Sequence, residues 1–370
     1  MYSSKILKVV LLLSLLALVV PFSVVKGQVA GSAVIRDSSV GLSDQVAVTM
    51  TDVPTLGASE VYEGWLISDD GSTSLSIGTL SVDADGIIDT SDDPYTNGDG
   101  TNLAAGYDQF VITIEPVPDD DAASSGNIAF SDQIPADGMA HIRHLLSAAP
   151  GTTTGITVGL WEQTNAALNS ASSAADSTAL ADIQQHAAHV INIIEGSDGA
   201  NFVADEDNPG DGVGVLSYAS DARTHAELVV SAVSGDATFS LYEPNVSESA
   251  DNVADWAGQA RDFAVLARSQ SSVSVATAFI ANAESLLERA LNGYDADRDG
   301  SIVAGGSEGG AAQAQTSAQD LATYNPREGA SLPATGDVNW TTFAVTAIAA
   351  GAVLLTIGGL LVRRSRAHLA

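Results

Sequence analysis

The sequence predicts an α+β multidomain chain: an N-terminal β-sandwich, then an α-helical bundle, then a C-terminal transmembrane helix. Three observations carry this. Residues 46–114 hold short runs of β-branched and aromatic residues separated by Asp/Gly turns. Between residues 136 and 324 the apolar residues, many of them alanine, recur at intervals of three and four. Residues 340–362 contain no charge, long enough for a helix to cross a bilayer core. Arg363, Arg364 and Arg366 follow directly, and such a basic tail (363–370) stays on the cytoplasmic side.

The first element, residues 1–27, reads as an export signal. Lys5 and Lys8 precede an apolar segment from Val9 to Val25, and Val25-Lys26-Gly27 offers small residues for cleavage. An uncleaved N-terminal anchor is the alternative; Pro21 and the Gly- and Ser-containing stretch after it favour cleavage.

Residues 33–134 read as the β-sandwich. Val46–Met50, Val61–Ile67, Leu75–Val82 and Phe110–Ile114 are the strand candidates, and Asp69-Asp70-Gly71, Asp85-Gly86 and Gly98-Asp99-Gly100 are the turns. Tyr62-Glu63-Gly64-Trp65-Leu66, Gly78 and the strand from Asp108 to Pro116 resemble the extracytoplasmic C-terminal domain of anti-sigma-K factors. The resemblance covers about a quarter of the chain and implies the fold and a contact or sensing role outside the cell. It does not imply regulation, because the family's sigma-binding domain precedes its transmembrane helix and only Met1–Lys8 precede the apolar stretch here. Tyr62, Trp65 and Phe110 are expected in the core. The acidic loop from Asp83 to Asp89 has carboxylates at alternate positions with a glycine, which suits either a hard cation or a plain acidic turn.

Residues 136–292 read as the helical bundle. Its stripes are 140–149, 156–174, Ile183/Ala187/Val190/Ile191/Ile194, Val215/Ala219/Ala222/Ala226/Val229/Val233, Trp256/Ala260/Phe263/Ala264/Ala267, and Ala276/Phe279/Ile280/Ala283/Leu286/Leu287/Ala290/Leu291. Five of the six histidines lie on these helices. His141 and His144, and His186 and His189, are both His-x-x-His pairs, a spacing that puts two imidazoles on one side of a helix. At about 100° per residue, His225 falls on the shoulder of its apolar face, whereas His144 points almost opposite its helix's core stripe, against a single five-histidine cluster. The candidate transition-metal or haem ligands are therefore His141, His186, His189 and His225, with Asp182 as ligand or orienting group. Boundary histidines making ordinary hydrogen bonds are the competing reading.

Residues 293–324 read as a metal loop and a terminal helix. Asp295, Asp297 and Asp299 stand at loop positions one, three and five, Gly300 at six and Ile302 at eight, as in an EF-hand or dockerin-type calcium loop. Gly306 occupies position twelve, where a bidentate acid belongs, and Glu308 is the substitute candidate. Asp205 to Gly212 is a second acidic loop of the same kind. The stretch from His141 to Glu308 also resembles a group of exported bacterial proteins with histidine-bearing helices and an Asp-x-Asp-x-Asp/Asn-Gly loop, a resemblance that implies no activity.

Residues 325–336 read as a linker that ends in Leu332-Pro333-Ala334-Thr335-Gly336. This resembles the LPxTG sorting signal of Gram-positive surface proteins, with motif, apolar span and basic tail in order. The resemblance implies a sortase that cleaves between Thr335 and Gly336 and joins the chain to peptidoglycan; a plain membrane anchor through the C-terminal helix is the alternative.

Composition narrows the function. The net charge is −32. All three lysines lie in the signal segment and three arginines in the tail, leaving eight arginines against 45 of the 46 acids between Gln28 and Thr335. Such a surface repels nucleic acid and anionic lipid. Without cysteine there are no disulfides, thiolate metal sites or thiol catalysis. His-Glu-x-x-His and phosphate-loop patterns do not occur, so no enzymatic activity is expected. The expectation is an exported, cell-surface binding or sensing protein stabilised by calcium; the alternative is a helical metal- or haem-binding protein.

Overall fold

The computed structural model describes residues 28–329, apart from residues 121 and 150. The signal segment, the sorting motif at 332–336, the apolar run at 340–362 and the basic tail lie outside the described residues. Ten strands form two antiparallel sheets, and eight helices accompany them among the described residues.

The first sheet is built on β1 (Ala30–Arg36) and β2 (Gln45–Thr51), paired in register from Ala30↔Thr51 to Arg36↔Gln45. Val46, Val48 and Met50 of β2 are buried at alternate positions, which fixes the face turned to the core. The short strands β5 (Ile88–Asp89) and β6 (Tyr95–Thr96) add to β2. The second sheet holds β3 (Glu60–Ser68), β4 (Ser74–Leu80), β7 (Tyr107–Pro116) and β8 (Ile128–Gln133), with β7 between β3 and β8. Strands β3 and β7 are hydrogen-bonded neighbours from Glu60↔Pro116 to Ser68↔Tyr107. Strand β7 is buried on both faces. Phe110 and Ile112 point to the main core. On the reverse face Trp65 Nε1 donates to Thr113 Oγ1 at 2.8 Å, Thr113 bonds Glu115, and the Ser125 N–H closes over the Glu115 carboxylate.

A one-turn helix, α1 (Leu103–Gly106), leads into β7. Six helices follow β8: α2 (Ala136–Leu146), α3 (Ile156–Asp176), α4 (Leu180–Glu195), α5 (Val215–Ala232), α6 (Ala237–Arg268) and α7 (Val273–Asn292). Helix α6 packs against α4, α5 and α7. Its buried stripe is Val246, Ala250, Val253, Ala257, Ala260, Ala264 and Ala267, small side chains at alternating steps of four and three that let neighbours approach closely. Its first half was not apparent in the sequence. Pro244 sits inside it and has no N–H for the Ser240 carbonyl, a residue that ordinarily ends a helix. Close packing also shows between α3 and α5, where a Cβ on Gly159 would stand 2.4 Å from the Tyr218 ring.

The chain then returns. Helix α8 (Ala311–Leu321) packs along β1, where Arg36 pairs with Asp320 at 2.6 Å and Gln315 donates to Asp37 at 3.0 Å. Strand β9 (Thr323–Tyr324) joins the first sheet beside β1, and β10 (Arg327–Glu328) joins the second beside β8. Tyr324 is fully buried, its ring 6.0 Å from Phe110 and its hydroxyl donating to the Tyr107 carbonyl at 3.2 Å. Asn325 ties Asp132 of β8 to Thr238 of α6.

These returning strands correct the predicted fold class. Among the described residues the chain is not a β-sandwich followed by a separate bundle, and the run expected as a transmembrane helix lies outside them. The chain is a mixed α/β structure in which helices are inserted between β8 and β9, and sheets and helices share one hydrophobic core. No described helix is long and apolar enough to cross a membrane. The segment expected as a linker contributes β10, and the segment expected to end in a helix contributes β9. Two-residue strands carry no periodicity, so only the pairing reveals them.

If Tyr324 locks sheets and helices together, Tyr324→Ala leaves a cavity where both sheets meet and destabilises the protein by about 3–5 kcal/mol. Calorimetry should show one transition moved down as a whole; a sheet transition separating from an unmoved helical one contradicts the shared core.

Candidate metal centre

Helix α2 begins three residues after β8 and is fixed by its buried residues Met139, Ile142, Leu145 and Leu146. Arg143 anchors it from the β side. Its guanidinium bonds both carboxylate oxygens of Asp69, at 2.6 and 2.5 Å, and its Nε donates to the Ala104 carbonyl at 3.0 Å. A fork bonded at both tines has one orientation. On another flank α5 runs antiparallel to α2. A Cβ on Gly138 would lie 3.0 Å from Val233 and 3.2 Å from Phe239, so the glycine allows the close approach.

This crossing brings three imidazoles together. His225 Nδ1 of α5 lies 3.1 Å from His141 Nδ1 and 3.3 Å from His144 Nδ1, both of α2. One nitrogen of each ring lies within 4.8 Å of the others, and all three residues are half-buried. Burial holds His225 at a pKa of about 4, with the neighbouring His144 and then His141 adding to the effect. His144 is lowered for the same reasons, burial first and His141 second. Neutral imidazoles with converging lone pairs are what a metal ion needs from histidine. The group could hold a metal.

The structure changes the ligand set read from sequence. His144 belongs to the group, because α5 covers the flank of α2 away from its main apolar stripe; helix periodicity locates one stripe and says nothing of a second neighbour. His186 and His189 of α4 are not part of it. They form a separate edge-on pair with ring centroids 5.5 Å apart. Asp182 is exposed in the first turn of α4 and belongs to neither group.

A second group that could hold a metal forms in the α7–α8 connection from Asp295, Asp297 and Glu308. Glu308 is buried; its Oε1 accepts from the N–H of Ala296 at 3.0 Å and Asp297 at 3.3 Å, and its Oε2 from Val303 at 3.1 Å. Asp295 accepts from the N–H groups of Arg298, Asp299 and Gly300. Asp299 is not in the group: its Oδ1 turns to the hydroxyl and N–H of Ser301, which lower its pKa. Helix α6 clasps the loop through Asn252, which donates to the carbonyls of Gly306 and Gly309.

The other acidic loops do not form such groups among the described residues. Asp83 caps its own turn by accepting from Asp85 and Ile87, and Asp211 accepts from the Tyr218 hydroxyl. A cleft of about 590 Å³ opens away from both groups. Gln184, Gln185, Asn201, Val203, Glu206 and Arg268 are among its lining residues.

The pKa of His225 sets a pH dependence. The unfolded chain takes up this proton near pH 6.5 and the folded chain only near pH 4. The unfolded state therefore binds more protons between these values, and stability falls as pH drops through that window. His225→Gln should flatten the fall in melting temperature from pH 7 to pH 4.5 in metal-free protein; an unchanged fall would show that His225 does not control it.

Comparison with protein-family models, curated proteins and solved structures gives no match to this chain.

Proposed function

We propose that this is an exported, non-enzymatic metal-binding protein whose centre is His141, His144 and His225, holding one transition-metal ion of the zinc(II) class. The observation that carries the reading is the convergence of three Nδ1 atoms. Zn–N bonds of about 2.0–2.1 Å place neighbouring tetrahedral ligands about 3.3–3.4 Å apart. The nitrogens of His225 and its two neighbours stand at 3.1 and 3.3 Å, and one nitrogen of each ring lies within 4.8 Å of the others, which supports an ion held among them. Haem fits worse. Two axial nitrogens on opposite sides of an iron at similar bond lengths stand about 4 Å apart, with a porphyrin plane between them. Three imidazoles leave the fourth coordination position to water or to a ligand donated by a partner.

Calcium is the second ion in the proposal, at Asp295, Asp297 and Glu308. The favouring observation is that Glu308 reaches the first two aspartates despite the missing acid at position twelve. Export and surface attachment are supported by the order of charge, apolar run and small residues in 1–27 and by Leu332-Pro333-Ala334-Thr335-Gly336. The absence of a His-Glu-x-x-His motif from the sequence supports a binding role.

Zinc at about 100 times its dissociation constant should stabilise the protein by about 2.7 kcal/mol. His144→Ala/His225→Ala should remove this centre's share of that rise in melting temperature while leaving a calcium-induced rise intact, and Glu308→Gln should abolish the calcium-induced rise while leaving the zinc response intact. A zinc response unchanged in the double histidine variant would refute the centre.

A further inference from the structure

We propose that α4 and the loop after it form a second transition-metal site, independent of the first, from His186, His189 and the Glu206 carboxylate. Three observations point there. His186 and His189 lie on one flank of α4, their rings edge-on at 5.5 Å. His189 Nε2 is buried and has no hydrogen-bond partner among the described residues, and a buried polar nitrogen left unmatched is unfavourable unless something occupies it. The third observation is the fixed loop above the pair.

Asn192, three residues beyond His189 and fully buried, holds that loop. Its Nδ2 donates to the carbonyls of Val203 at 3.1 Å, Glu206 at 3.4 Å and Asp207 at 3.3 Å, and its Oδ1 accepts from the Val203 N–H at 2.7 Å. The backbone of 203–207 is therefore tied to α4, and Glu206 and Asp207 lie close enough to act on the charge of His189. Glu206 is half-exposed, so its side chain can rotate about an anchored backbone. The three side chains are not drawn to one point as the first trio is; closure of Glu206 onto the histidines completes the site. Two imidazoles and a carboxylate with water in the remaining position form a ligand set suited to zinc(II). The carboxylate adds charge neutralisation that the three-histidine centre lacks.

The test is the zinc content of the protein, equilibrated with zinc at pH 7.5 with calcium present to fill the acidic loop. About two equivalents are expected. His144→Ala/His225→Ala should keep about one of them, and His186→Ala/His189→Ala should also keep about one. If the first centre alone fails, the first variant loses nothing and the second loses its equivalent; if this inference fails, the second variant loses nothing. Glu206→Gln, on an exposed loop, should weaken the second site at least about tenfold. Should the double alanine variant not fold, modification of the unsubstituted protein by diethyl pyrocarbonate decides: zinc shielding both His186 and His189 supports the site, and equal modification with and without zinc overturns it.

Discussion

The structure depends on the chain closing on itself. Strands β9 and β10 are two residues each, yet they enter different sheets, and Tyr324 is buried between them. Burying a tyrosine ring removes a large apolar surface from water, and its hydroxyl still finds the Tyr107 carbonyl. The returning helix α8 adds the Arg36–Asp320 pair and the Gln315–Asp37 bond at the edge of the first sheet. With both ends of the helical insertion fastened to the sheets, the helices cannot move as a separate body without breaking these contacts.

That closure positions the histidines. Helix α2 leaves β8 almost at once, and Arg143 holds it to Asp69 and Ala104 on the side facing the sheets. Its remaining flank, with His141 and His144, meets α5 at a distance set by Gly138. An ion bound there would join two helices distant in sequence, and its binding energy would add to fold stability. The acidic surface helps on arrival: a net charge of −32 raises the local concentration of cations. The imidazole trio would provide selectivity, because imidazole prefers transition metals over the calcium and magnesium that carboxylates attract.

Much of the secondary structure was legible. The runs at 46–50, 61–67, 75–82 and 110–114 stand as β2, β3, β4 and β7, since alternation and β-branching act locally. The bundle helices were visible in their alanine stripes, apart from the half of α6 that contains Pro244. The architecture was not legible. Strand β1 (Ala30–Arg36) has small residues and weak alternation, and β9 and β10 exist only through partners far away in sequence. The histidines show the same division. Spacing identified two His-x-x-His pairs, but nothing local assigns His225 to the α2 pair rather than the α4 pair. Angular position on α2 argued against His144, which in fact completes the trio. Glu308 was traceable because loop position is a local property, and the turn at Gly305 and Gly306 brings it back.

One ion held by three imidazoles from α2 and α5 has a distinct scattering signature. The most direct measurement is the zinc X-ray absorption fine structure of the His186→Ala/His189→Ala protein loaded with a single equivalent of zinc. Coordination by the trio gives a first shell of nitrogen and oxygen at about 2.0–2.1 Å, with outer-shell scattering from about three imidazole rings. A shell of oxygen ligands without imidazole scattering would place the ion on carboxylates and rule out the histidine centre.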